Sequence, residues 1–151
     1  MNREEFIEST RRTSGREYIT KVLHTLSGLY SWQRERKPPV VWVEVNGCGG
    51  NTISLLNAVG PDLGQILLNL IDLRFHNTLM WAEDDPALEM LRRTAEAGDF
   101  LLVVEGAVSP RDQGRFGIVA VEERWLVTGA GLISRIAPRA RQVMAVGTCA
   151  A

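Results

Sequence analysis

Two cysteines stand where this sequence can support chemistry. Cys48 lies in a glycine-rich segment, Gly-Cys-Gly-Gly-Asn at residues 47–51, and Cys149 follows a glycine and a threonine. The first segment comes after an apolar, β-branched run and directly before a predicted helix that Asn51 or Thr52 can cap. A thiol at a helix start lies near unpaired backbone N–H groups. That setting favours the thiolate, the form that attacks electrophiles and binds metals.

Strands and helices alternate along the chain and would position these thiols. Apolar runs predict four strands, at residues 39–45, 73–75, 100–104 and 143–146. Helices are predicted at 52–58, from 61 onward, at 84–98 and at 125–136, with a loop from 105 to 117. This alternation predicts an α/β fold, a parallel sheet with right-handed crossovers.

Three polar groups follow three of the predicted strands. Cys48, Glu105 and Cys149 each come just past a strand end. Because the carboxyl ends of parallel strands meet at one edge, we expect these side chains to lie close together there. For Glu105, two roles are equally favoured: a proton carrier, or a carboxylate that accepts hydrogen bonds from loop N–H groups.

Several interpretations of the thiols remain open. A single buried cysteine is usually a small apolar side chain, but glycine-rich strand ends around both cysteines favour a site. A disulfide between the two is an alternative. Zinc would need four ligands, and only His24 and His76 are available to join the two cysteines. An iron–sulfur cluster suits thiolates better but needs more than two cysteines. A phosphate loop is disfavoured because the Walker and dinucleotide motifs are missing.

Length and charge exclude several classes of protein. The chain has 151 residues, with 17 basic and 18 acidic side chains and a net charge of -1. No overall field therefore attracts nucleic acid, and no apolar run approaches the roughly 20 residues of a membrane span. Two cysteines do not form a disulfide framework, so we expect a reducing, cytoplasmic location, with any membrane association made through partners.

Residues 1–38 differ in character and predict an N-terminal helical extension, followed by a domain over 39–151. Apolar side chains recur there at helical spacing, at Tyr18, Val22, Leu26 and Leu29. The pair at residues 11–12 is Arg-Arg, as in twin-arginine export signals. Charged and hydroxyl residues interrupt the apolar region that such a signal needs, so an amphipathic docking helix is preferred.

Six short motifs, in order, resemble the small, electron-transferring subunit of nickel–iron hydrogenases. They are VWVE at 41–44, CGGN at 48–51, SLLN at 54–57, HNTLM at 76–80, VVEGAV at 103–108 and GTCA at 147–150. The resemblance covers residues 40–151. It implies a flavodoxin-like, three-layer α/β domain that holds the iron–sulfur cluster nearest the nickel–iron centre, with the large subunit as partner and H2 oxidation as the activity.

The resemblance also implies roles for individual residues. Cys48 and Cys149 would be metal ligands, and Glu105 a loop anchor or proton relay. The cluster would be lined by Gly47, Gly49, Gly50, Asn51, Gly106, Gly147 and Thr148. The cluster would be a 4Fe-4S or 3Fe-4S group. Electrons would leave the large subunit through it one at a time.

Two departures from the family pattern bear on this expectation. Asn51 stands where the family usually has its second cysteine, a feature similar to the Cys-Ser-Gly-Asn version of cytoplasmic uptake and sensory-type hydrogenases. Family members also continue past the Gly-Thr-Cys-Ala segment. A truncated or split subunit, completed by a second polypeptide, is one interpretation. The alternative is a cluster-free homologue that serves as an interaction, assembly or sensory module for the large subunit.

Overall fold

The computed structural model describes residues 36–80, 85–122 and 125–151. Within these ranges, residues from Pro38 to Ala151 belong to one compact unit. The predicted helical extension over residues 1–38 falls, apart from its last three residues, outside the described residues and stays a prediction. None of the helices in the described ranges has the length and apolar character needed to cross a bilayer.

The described chain alternates strands and helices, which confirms the predicted α/β class. The strands are β1 (Pro39–Glu44), β2 (Asp72–His76), β3 (Leu101–Glu105), β4 (Ile118–Glu122), β5 (Trp125–Thr128) and β6 (Gln142–Val146). The α-helices are α1 (Gly50–Leu56), α2 (Leu63–Gln65), α3 (Asp85–Ala97) and α4 (Gly129–Ile136). A π-helical turn, Ile66–Leu70, extends α2, and 3-10 turns occupy Arg111–Gly114 and Ala137–Arg139.

Four strands form a parallel sheet in the order β2-β1-β3-β6. Glu44 at the end of β1 is in register with Glu105 at the end of β3, and Glu105 is in register with Val146 at the end of β6. Three strands therefore end side by side, at the edge where the sequence predicts the site. We call this the carboxyl edge.

The main core lies on one face of this sheet. Alternate residues of the strands, including Val43, Phe75 and Leu102, form an apolar cluster with Leu91 of α3 and Leu132 of α4. Strand β3 is buried along its whole length, as its continuous apolar sequence predicts. The intervening residues of each strand face the other side of the sheet, where α1 lies.

The segment between β3 and α4 differs from the prediction. Residues 118–128 form an antiparallel hairpin, β4–β5, so 125–128 is a strand and not the start of the predicted helix, and 118–122 is a strand where the sequence predicts no element. Helix α4 begins only at Gly129, because the Thr128 side chain caps it by accepting a hydrogen bond from the backbone N–H of Gly131. Leucine and valine spacing over 126–136 fits a helix, but the pairing of Val121 with Leu126 overrides this local preference for β5.

Candidate functional site

Two loops at the carboxyl edge hold the cysteines. The first thiol loop, residues 45–49, follows β1, and the second thiol loop, residues 147–151, follows β6. The first loop is fastened to β3 and to the loop beyond it, since the Val45 N–H donates to the Glu105 carbonyl at 2.8 Å and the Ala107 N–H to the Asn46 carbonyl at 2.8 Å. In the second loop, the Ala150 N–H donates to the Gly147 carbonyl at 3.2 Å and forms a turn around Cys149.

The helix that follows the first thiol loop starts differently from the prediction. Its N-cap is Gly49, which gives no side-chain cap, so neither Asn51 nor Thr52 caps the helix. The carboxylate of Glu105 takes that place from a neighbouring strand. It accepts from the backbone N–H of Asn51 at 2.9 Å and from that of Thr52 at 3.1 Å. These N–H groups are therefore bonded to a carboxylate and are not left for the Cys48 sulfur.

Glu105 is the most heavily bonded acidic side chain among the described residues. Only 2% of it is exposed. Besides the two backbone groups, its carboxylate accepts from the Thr52 hydroxyl at 2.6 Å, the Trp42 indole N–H at 3.1 Å and the Asn51 amide at 3.4 Å. Burial by itself raises the pKa of Glu105, but the hydrogen bonds from Thr52, Asn51 and Trp42 outweigh it, and the pKa lies below its ordinary value. The carboxylate is ionised at neutral pH.

His76, at the end of β2, is fully buried beside this carboxylate. Its Nδ1 accepts from the backbone N–H groups of Thr78 at 3.2 Å and Leu79 at 3.3 Å, and its Nε2 lies 3.2 Å from the Thr52 hydroxyl. Burial is the main cause that lowers the pKa of His76, although the charges of Glu44 and Glu105 oppose it. The ring is neutral with its hydrogen on Nε2, so both nitrogens are used within the protein and neither is free to bind a metal.

Two glycines let the loops approach each other closely. Gly106 has φ of +85°, and a Cβ there would lie 2.7 Å from the carbonyl carbon and oxygen of Asn46. Gly147 has φ of +77°, and a Cβ there would run into the side-chain amide of Asn51. These positions explain why glycine follows both β3 and β6.

Asn51, in the first turn of α1, connects the segment after the first thiol loop with the strand end before the second. Its side-chain amide donates to the Val146 carbonyl at 3.4 Å, at the start of the second loop, and to Glu105. Asn51 thus bonds to Glu105 at the end of β3 and to Val146 at the end of β6, three residues before Cys149. Cys48 and Cys149 are both free and exposed.

These residues fit part of an iron–sulfur site. Two free, exposed thiols on loops at the same edge of the sheet suit two corners of a cluster, and the glycine backbones suit N–H groups that approach sulfur. Over residues 36–80, 85–122 and 125–151, no group of three or more histidine, cysteine, aspartate or glutamate side chains is placed to hold a metal ion. Further ligands would have to come from outside the described residues.

Sequence reasoning missed Trp42 and Thr52 as parts of the site. The Trp42 ring stacks on His76, with ring centroids 5.3 Å apart and planes at 24°, while its N–H reaches Glu105. The signal available was alternation, because Trp42 and Glu44 both point away from the core face occupied by Val41 and Val43. Thr52 gave no comparable signal, since its partner is 53 residues away.

Comparisons with known proteins identify the family of the chain. The family model described as NADH ubiquinone oxidoreductase, 20 Kd subunit, matches residues 48–151. The periplasmic NiFeSe hydrogenase small subunit of Desulfomicrobium baculatum is 43% identical over 123 residues, which are 77% of this chain and 39% of that protein. The periplasmic NiFe hydrogenase small subunit 1 of Nitratidesulfovibrio vulgaris is 34% identical over 137 residues, 90% of this chain and 40% of that one.

The fold agrees as well. The crystal structure of the reduced, active Ni-Fe-Se hydrogenase from Desulfomicrobium baculatum superposes with a TM-score of 0.72 at 43% identity. The match covers 76% of this chain and 43% of that chain, so this chain spans about two fifths of the length of the relatives it matches. Motifs, sheet order and family model therefore show that the chain belongs to the family of the 20 Kd subunit of NADH ubiquinone oxidoreductase, as a homologue of the small subunits of nickel–iron hydrogenases.

Proposed function

We propose that this chain acts in the electron-transfer subunit of a nickel–iron hydrogenase and conducts electrons away from a large-subunit active site during H2 oxidation. The observation that carries the proposal is the meeting of the two thiol loops at the carboxyl edge. Asn51 bonds to the Val146 carbonyl, which brings the segments bearing Cys48 and Cys149 together from opposite ends of the domain sequence. Homology to hydrogenase small subunits supports the same role.

Cys48 and Cys149 would hold two corners of a 4Fe-4S or 3Fe-4S cluster, a group that supplies one-electron transfer when bound. The remaining ligands would come from a second polypeptide or from a C-terminal continuation. The glycines at 47, 49, 50, 106 and 147, with Asn51 and Thr148, would line the site. The exposed carboxyl edge would face the large subunit, whose nickel–iron centre performs the reaction with H2.

Glu105 supports this role as a loop anchor. A proton relay must take up and release a proton near the working pH. The Glu105 carboxylate is buried, accepts hydrogen bonds from five donor groups and has a pKa below its ordinary value. It therefore stays ionised at neutral pH. Its function in the proposal is to fix the first turn of α1, and with it the backbone that follows Cys48.

The alternative is a cluster-free module that binds or helps assemble the large subunit. Asn51 favours it, because this residue replaces the expected second cysteine and links the two loops through hydrogen bonds that need no metal. The two functions make different demands on the thiols. A redox subunit needs them for ligation, whereas a docking module needs only the surface of the domain.

The test is anaerobic co-purification of the chain with its large subunit. The redox proposal predicts visible absorption and about three or four irons per complex at this site, both lost in Cys48→Ser and Cys149→Ser. Ser54→Ala, an exposed change in the nearby helix α1, serves as the matched control. A complex without iron or visible absorption, which both cysteine variants still form normally, would establish the alternative.

A cytoplasmic location is proposed on the cysteine content of the sequence alone. The relatives from Desulfomicrobium and Nitratidesulfovibrio bear the word periplasmic in their names, which describes those proteins. Fractionation of cells that express the chain, followed by immunoblotting against markers for each compartment, tests the proposal. Recovery with the periplasmic marker would overturn it.

A further inference from the structure

We infer that Asn51 is a positioning residue and not an iron ligand: its side-chain amide ties the first turn of α1, which follows the first thiol loop, to the end of β6, where the second thiol loop begins, and so positions Cys48 and Cys149. The inference rests on the proposed function only in treating the carboxyl edge as a cluster site. It concerns the position where the family resemblance would place a second cysteine.

The hydrogen bonds of Asn51 connect three strand ends. The backbone N–H donates to Oε1 of Glu105 at 2.9 Å, at the end of β3. The side-chain Nδ2 donates at 3.4 Å to the same oxygen and at 3.4 Å to the Val146 carbonyl, at the end of β6. An amide has two N–H bonds to give, and both are used here. Both side-chain contacts are long, so their effect comes from their combination.

Packing supports the same role. Gly147, the first residue of the second thiol loop, lies directly against the Asn51 amide, and its φ of +77° suits a residue without a Cβ. A cysteine at position 51 would offer no comparable N–H donor to Glu105 or to the Val146 carbonyl. In this chain, hydrogen bonds therefore replace a metal–thiolate bond as the connection between the loops.

Substitution by aspartate separates this role from ligation. Asn51→Asp has nearly the same shape but only acceptor oxygens, which would face the Glu105 carboxylate and the Val146 carbonyl. A positioning role predicts that this variant loosens the second thiol loop, because both bonds are lost and two negative charges meet. A ligand role predicts that Asn51→Asp retains more iron than the parent protein, since a carboxylate binds iron more readily than a neutral amide does.

The experiment uses the metal-free, reduced full chain and measures backbone order by 15N relaxation. We expect order parameters of about 0.85 for the amides of residues 147–149 in the parent protein. They should fall to about 0.6 in Asn51→Asp and Asn51→Ala. Amides of β3 serve as the internal reference for folding. Asn57→Asp is the matched control, because its exposed side chain bonds only the Ile53 carbonyl of its own helix.

Unchanged order parameters at residues 147–149 in both Asn51 variants would overturn the inference. The iron content of the complex co-purified with the large subunit gives a second reading, because Asn51→Asp should retain less iron than the parent protein, and greater retention would indicate ligation at position 51 and overturn the inference. The relaxation measurement needs no metal. A parent complex that holds no iron would thus refute the redox proposal and leave the positioning role of Asn51 standing.

Discussion

The hydroxyl group of Thr52 donates a 2.6 Å hydrogen bond to Oε2 of Glu105 and joins helix α1 to the strand β3. The hydroxyl oxygen of Thr52 in turn accepts from Nε2 of His76 at 3.2 Å, since Nδ1 of that ring already accepts from two backbone N–H groups. The hydrogen bonds therefore run in one direction, from His76 through Thr52 to a buried carboxylate. A neutral ring at one end stabilises an ionised group at the other.

Glu105→Gln should lower the free energy of unfolding by about 2–3 kcal/mol, because an amide N–H replaces an acceptor that faces several donors. The measurement is urea unfolding of the full chain. Glu122→Gln is the matched control, since that glutamate lies in a partly exposed ion pair with Arg92 and should cost less than about 1 kcal/mol. Equal losses for the two variants would contradict the anchoring role of Glu105.

Removal of the Thr52 hydroxyl should break the chain of hydrogen bonds from His76 to Glu105 at its centre. Thr52→Val leaves Glu105 and His76 without their shared partner, and we expect a loss of about 1–3 kcal/mol in the free energy of unfolding. Thr52→Ser keeps the hydroxyl and should lose about 1 kcal/mol or less through the missing methyl group. Urea unfolding of both variants checks which one loses more stability. A serine variant as unstable as the valine variant would refute the role of the hydroxyl.

The stability of the domain should fall in two steps as the pH decreases. The pKa of His76 is lowered from 6.5 by burial, so below that value the unfolded chain binds a proton that the folded chain does not, and stability declines. The pKa of Glu105 is lowered from 4.5, mainly by hydrogen bonds from Thr52 that overcome burial, so its stabilisation is complete above that value and is lost below it.

Urea midpoints between pH 8 and pH 3 test both steps. His76→Gln should flatten the decline that begins near pH 6.5, and Glu105→Gln the decline that begins near pH 4.5. His24→Gln is the control for the first step, because it removes the other histidine of the chain. If His24→Gln, and not His76→Gln, abolished the first decline, the assignment to His76 would be wrong.

The sequence was sufficient to predict the common edge at which β1, β3 and β6 end, because parallel strands impose a shared edge. Valine-rich runs predict β1 and β3, and once strands are parallel, whatever follows them must meet. Cys48, Glu105 and Cys149 could therefore be grouped although they are far apart in the chain. This inference needed only the periodicity of the sequence and the handedness of the crossovers.

The contacts within the site could not be predicted in the same way. Capping of α1 by Glu105 pairs groups 53 and 54 residues apart, and no local pattern at Asn51 or Thr52 indicates that a distant carboxylate accepts their N–H groups. Local rules favoured a side-chain cap instead. The hairpin β4–β5 was missed for a related reason, because cross-strand pairing outweighed a helical spacing of apolar residues.

Gly106→Ala should be the most damaging single change to the carboxyl edge. Its φ of +85° is strained for alanine, and the new Cβ would lie 2.7 Å from backbone atoms of Asn46, which are held by a hydrogen bond to Ala107. Left-handed strain of about 1–3 kcal/mol and overpacking of about 1–3 kcal/mol together predict a loss of about 2–6 kcal/mol in the free energy of unfolding.

Gly60→Ala is the matched control for that change, because a Cβ at Gly60 meets nothing within 4 Å and should alter stability by less than about 0.5 kcal/mol. Urea unfolding compares the two variants directly. The damage at Gly106 should also reach the first thiol loop, since Asn46 must shift to admit the methyl group. Iron content of the co-purified complex should therefore fall in Gly106→Ala and not in Gly60→Ala. Parent-like stability in Gly106→Ala would show that the first thiol loop and the loop after β3 move apart more easily than their backbone contacts indicate.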